Sequence, residues 1–342
     1  MRLTPIDSKS QRGYAATRRA VVAGLGATVL APAVRAQTRE ISIPITSTSF
    51  ATASVRAADL LGCYARNGLS VKFPIVGTGD TLTATLLSGS AQVIVGGAGE
   101  QVAAWLRGQP IVTLTNVYWG MAASIVLAKE VADKLGVKPD APAKDRLKAL
   151  DGLLIATPSP TSTYTNSFKG AAEAQGAKIR YTYMAQPAMV AALESGAVQG
   201  YTAGAPFWGS QVARGKAVLW LSGPRGDLPK ENTPASITAY QTLRPFAEAN
   251  ADLVKRVVDS YRMLSDILDK TPGEVRGALG TLYKEVDPAT MDVLFEAEKA
   301  AWKYRSVTAE DMKQEIAFMA NSGTTMSGLD KLDPAAMVYL PK

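Results

Sequence analysis

The sequence predicts an α/β protein: two successive strand–helix units, then a helical tail. Three observations carry this expectation. Short β-rich runs alternate with amphipathic stretches across turns of about 2–5 residues. The alternation restarts near Ser124, after a first unit has closed. From about residue 242 the strands stop and apolar residues recur with helical spacing.

In the first unit, Ile41-Ser42-Ile43-Pro44-Ile45 reads as a strand. Residues 52–66 place Val55, Ala58, Leu61, Gly62 and Ala65 on one helical face, and Asn67-Gly68 is a helix-stop signal. Leu69 to Val76 is a second strand. Thr78-Gly79-Asp80-Thr81 then starts a helix that continues through Leu82 to Leu87. Gln92 to Val95 is a third strand, running into Gly96-Gly97-Ala98-Gly99. A helix over Val102 to Arg107 and a strand over Ile111 to Thr115 complete the unit. In the second unit, Ile125 to Leu127, Leu153 to Ala156, Ile179 to Met184, Val198 to Thr202 and Ala217 to Leu221 read as strands. Helices are expected at 164–175 and 188–194. After one more strand near Ser236 to Tyr240, helices follow at 250–269, 273–284, 288–303 and 308–321, with Asp287-Pro288 and Thr308 as starts. Such alternation implies largely parallel sheets. A chain that crosses to the second unit and back gives one lobe from 37–123 plus about 235–342, and another from 124–234. The returning helices are expected on the first lobe.

The first 36 residues read as an export leader. Six basic residues stand there against Asp7 alone, and the rest of the chain is close to neutral. The net charge of +7 therefore belongs mostly to the leader, and no nucleic-acid partner is expected. An apolar run from Ala20 to Ala33 follows the basic stretch, and Val34-Arg35-Ala36 suits a cut after Ala36. The run is shorter than the roughly 20 residues needed to span a bilayer. Arg18-Arg19 resembles a twin-arginine signal, continued here by Ala20-Val21-Val22. The expected location is the periplasm, with the leader removed.

The chain has no histidine, which excludes Ser-His-Asp catalysis and the usual zinc and iron sites. Its single cysteine, Cys63, lies in an apolar pattern and reads as a small core residue. No catalytic residue, metal or cofactor is expected.

Several segments then carry a resemblance. They are Ala65-Arg66-Asn67-Gly68-Leu69-Ser70-Val71, Leu86-Leu87-Ser88-Gly89-Ser90-Ala91-Gln92-Val93, Arg107-Gly108-Gln109-Pro110-Ile111-Val112 and Ala192-Leu193-Glu194-Ser195-Gly196-Ala197-Val198-Gln199-Gly200. Ser306-Val307-Thr308-Ala309-Glu310-Asp311 adds to them. In order and spacing they resemble the periplasmic substrate-binding proteins of ABC importers, in the nitrate/sulfonate/taurine branch with its pyrimidine-precursor relatives. Gln92 and Gln199 stand where that family has aspartate, and Ser70 where it has an acid. The resemblance implies a type II-like two-lobe fold, a hinge and a ligand cleft between the lobes. It also implies a small-molecule ligand and an ABC permease partner in the inner membrane, with the protein as a monomer and not an enzyme.

In open α/β sheets, ligands bind beyond the carboxyl ends of strands, where helix N-termini present free N–H groups. The expected lining is therefore Ser47, Thr48, Ser49 and Phe50; Thr78 and Gly79; and Gly97, Ala98 and Gly99. Tyr118 and Trp119 fall at the lobe crossing. Ser159, Thr161, Ser162, Thr163 and Tyr164 precede or open a helix in the second lobe. Gln186, Phe207 and Trp208 complete the ring. For most of these a plain cap or core role competes with a ligand role; Asp80 and Glu100 read better as helix-start acids. With no Arg or Lys aimed at the cleft, the expected ligand is a small organic acid, a sulfonate or carboxylate with a flat or apolar body. A sensor partner of a membrane receptor, a pyrimidine-precursor protein or enzyme, and a ligandless scaffold are the alternatives on the same fold.

Overall fold

A computed structural model describes residues 38–341, apart from 77–78, 159, 161, 185, 235–237 and 322–325. The expected leader and its cut lie outside the described residues. Ten strands are described: β1 (Arg39–Ser42), β2 (Leu69–Lys72), β3 (Ile94–Gly96), β4 (Ile111–Tyr118), β5 (Ser124–Ala128), β6 (Leu154–Thr157), β7 (Arg180–Tyr183), β8 (Gly200–Ala203), β9 (Ala217–Ser222) and β10 (Thr238–Leu243).

In the first region β1 pairs in parallel with β2, and Ile45 bridges Ile75 further along. The Val95 N–H donates to Pro44 O at 3.0 Å, tying this ribbon to β3. Beyond β3 the order is β3-β10-β4. The second sheet has the order β7-β6-β8-β5-β9. The expected largely parallel sheets are mixed. β10 runs antiparallel to β3 and β4, and β5 runs antiparallel to β8 and β9. The reason is topological. β5 and β10 are the strands by which the chain enters one sheet from the other, so they arrive against the local direction.

The two crossings, β4 to β5 and β9 to β10, run side by side. The Gly223 N–H donates to Ala123 O at 2.9 Å. A Cβ built on Gly223 would lie 2.2 Å from Met121 O and 2.7 Å from Ala123 O, so only glycine allows this approach.

Helix Ala251–Lys270 shows why the tail folds as it does. Val254, Val257, Val258, Tyr261, Leu264 and Leu268 share one helical face, and all are buried. The Tyr261 hydroxyl lies 2.6 Å from Val117 O and 2.8 Å from Trp302 O. Burying such a ring contributes about 2–3 kcal/mol, and the hydroxyl's partners avoid a desolvation cost of about 1–3 kcal/mol. Helix Pro288–Glu298 starts where expected, capped by Asp287, whose Oδ1 accepts the Thr290 N–H at 3.0 Å. The tail is not confined to the first sheet's side. Leu294 packs so closely on Gly209 that a Cβ there would lie 2.7 Å from Leu294 Cγ. The expected helix over 52–66 is broken at Gly62, which has φ +70° between helices Ala53–Leu60 and Cys63–Arg66.

Candidate functional site

A cavity of about 510 Å³ opens where helix starts from both sheets meet. Helices Gly79–Leu87 and Ala98–Trp105 point their first turns into it from the first region. Helix Thr163–Glu173 does so from the second. Residues of the 46–52 loop, the return segment at Pro234 and Thr238, and helix Ala309–Asn321 close the remaining walls.

Local sequence explains each approach. In the 46–52 loop the hydroxyls hold the turn. Ser47 Oγ accepts the Ser49 N–H at 3.3 Å, and Thr52 Oγ1 donates to Ser47 O at 2.7 Å. The Tyr283 hydroxyl donates to Thr48 O at 2.7 Å. Thr46, Ser49, Ala51 and Thr52 line the cavity. At the end of β3, Gly96 lets the Gln241 side chain press on the backbone: a Cβ there would lie 2.5 Å from Gln241 Oε1. Gln241 Nε2 donates to Gly97 O at 3.0 Å and fixes the helix start. In the second region, Ser162 caps its helix by accepting the Tyr164 N–H at 3.2 Å, and Thr163, Tyr164 and Asn166 face the cavity. Burial, and secondarily the nearby Glu298, push the Tyr164 phenol up to about 12.

Of the expected residues, Ser49, Gly79, Gly97, Ala98, Gly99, Thr163 and Tyr164 line the cavity. Thr78, Ser159 and Thr161 lie outside the described residues. Ser47, Thr48 and Ser162 shape loops behind the lining. The expected aromatic ring around the ligand is not assembled there. Phe50 is buried, its ring 4.8 Å from that of Tyr283 and 5.9 Å from that of Trp302. Tyr118 is buried and donates its hydroxyl to Glu298 Oε2. Trp119 packs its ring under the Arg305 guanidinium, 3.2 Å from its centroid. Gln186 Oε1 accepts the Gly204 N–H at 2.8 Å, Phe207 is 38% exposed, and Trp208 is fully buried. Large rings gain most by excluding water, and the core at the lobe crossing offered them that.

Glu298 was not anticipated. It is 1% exposed, and burial pushes its carboxyl up to about 8 despite the Tyr118 hydroxyl and the charge of Arg225. Cys63 is buried, with its thiol pushed up mainly by burial.

Several lining residues also escaped sequence reasoning. Glu315, Phe318, Met319 and Met326 come from the tail, and Arg107 from the end of a helix. Arg107 corrects the expectation of a lining without Arg or Lys. Helical periodicity in 308–321 identified a packing helix, and nothing in it marked which turn would close a cavity.

The alkanesulfonate-binding protein of Xanthomonas axonopodis pv. citri, solved with MOPS bound, superposes with a TM-score of 0.61 at 16% identity, covering 89% of this chain and 99% of that one. The periplasmic aliphatic sulphonate-binding protein of Escherichia coli gives 0.62 at 15% identity, over 89% and 92%. The periplasmic nitrate-binding protein of Synechocystis PCC 6803 gives 0.57 at 13% identity, over 86% of each. These likenesses establish the two-lobe periplasmic binding protein fold. None of the curated proteins matches the chain by sequence. The sequence profile of the NMT1-like family matches residues 50–272, and with well over half its length so matched, the chain belongs to the NMT1-like family.

Proposed function

We propose that this protein is a periplasmic solute-binding protein that takes a small organic molecule into the cavity between its lobes and delivers it to an ABC importer. The observation that supports this best is the convergence of three helix starts from the two regions on one cavity of about 510 Å³. That volume suits a small ligand, and free N–H groups at helix starts are ready donors for its polar groups. Two sheets joined by a pair of adjacent crossings suit closure of one lobe on the other. In this reading the leader 1–36 directs export, lobe boundaries fall near 123 and 235, and the protein works as a monomer beside a membrane permease. The solute carries an acid group, sulfonate or carboxylate, which Arg107 of the cavity lining would pair with.

The test is a thermal-shift screen of the purified protein against small organic acids, amino compounds and pyrimidines. A ligand at about 100 times its dissociation constant adds about 2.7 kcal/mol and raises Tm. One chemical class giving a saturable shift supports the reading. A screen in which no class shifts Tm counts against it.

A further inference from the structure

The charge of the cavity lining runs against a purely anionic solute. Among the described lining residues, Arg107 is the single basic side chain, and it is exposed. Three carboxylates oppose it: Asp80, Glu100 and Glu315. They come from three separate helices and are drawn together by glycines. A Cβ built on Gly79, next to Asp80, would lie 2.3 Å from Glu100 Oε1. One built on Gly99, next to Glu100, would lie 3.9 Å from Glu315 Oε1 and from Met319 Sδ.

Asp80 and Glu100 stand in the first turns of their helices, where an acid is favoured in any case. Glu315 is not in a first turn. It sits mid-way along helix Ala309–Asn321 and is 3% exposed, yet faces the cavity. In the same lining, Phe318, Met319 and Tyr164 supply aromatic and thioether surface, which favours the alkyl or aryl body of an organic cation. A lone carboxylate or sulfonate in the same space would meet like charges.

We propose that the solute carries a cationic amine held by Glu100 and Glu315, so that the ligand class is an organic amine, with any acid group it bears turned toward Arg107. The proposal rests on the solute-binding reading above and names the chemistry of that same cavity.

The test uses matched probes on the purified protein: benzylamine against benzoate, putrescine against succinate, and 4-aminobutyrate against butyrate. The expected result is a Tm shift from the amine of at least one pair, exceeding that of its acid partner. Glu315→Gln and Glu100→Gln should each weaken that amine at least about tenfold. An acid that shifts Tm more than its amine partner overturns the proposal and leaves the solute-binding reading standing. If no probe binds measurably, charged nitroxides decide the matter. A cationic amino-TEMPO should broaden the methyl signals of Met319 and Met326 more than an anionic carboxy-TEMPO does. Glu100→Gln should shrink that difference should Glu315→Gln fail to fold. Equal broadening, or more from the anion, overturns it.

Discussion

The seam where the chain crosses between sheets and the cavity beside it are both built from connecting segments, yet they behave as opposites. At the seam, backbone meets backbone across Gly223, and Tyr118 and its partner Glu298 are excluded from water. At the cavity, Gly97, Ala98, Gly99, Thr163 and Tyr164 leave about 510 Å³ open, and three carboxylates face it. Glycine and aromatic residues occur in both, and an acid sits in each. What separates them is access of water, which rewards a ring for being covered and penalises a charge for the same fate. The same residue types therefore brace the seam in one place and wall the cavity in the other.

The largest effect should come from closing the seam's one tight approach. Gly223→Val would drive a branched side chain into Met121 O and Ala123 O, backbone atoms that cannot swing aside. The expected loss is about 4 kcal/mol or more, read as a fall in the urea midpoint. A tolerated valine would break the description of the seam as close-packed.

The dryness of the seam can be sharpened by pH. Glu298 has its folded-state carboxyl near 8 against an ordinary value of 4.5, so the folded chain keeps a proton that the unfolded chain releases. Its contribution to stability is full below about pH 4.5, falls as pH rises toward about 8, and is constant above that. The slope is roughly 1 kcal/mol per pH unit. Glu298→Gln should remove that slope, measured as urea stability at pH 5, 6, 7 and 8. A variant that keeps the wild-type slope would show that Glu298 is wet.

The smallest expected effect lies at the cavity. Thr163 is exposed at its helix start, with Ser162 supplying the cap. Thr163→Ala should change stability by less than about 0.5 kcal/mol. The same variant should lower the Tm shift produced by whichever ligand the wild type binds. A large loss of stability with unchanged binding would reverse the contrast between the two regions.

Much of this was readable from the chain. Alternating apolar runs located the strands, and Asp287-Pro288 marked a helix start that the structure keeps. Hydroxyl- and glycine-rich runs after strands pointed to the segments that line the cavity. Each of these signals is local: periodicity, capping and backbone freedom act over a few residues, and they hold wherever the segment ends up. Other features depend on what lies across a gap. The antiparallel entry of β5 and β10, the withdrawal of Phe50 and Trp208 into core, and the dry pairing of Tyr118 with Glu298 each join residues distant in sequence. So does the arrival of Glu315 at a wall made by Gly99. By itself the sequence determined where the strands and the longer tail helices form. Only the tertiary structure decided which aromatics stay dry and which acids face the cavity, because burial belongs to the packed whole and not to any segment of it.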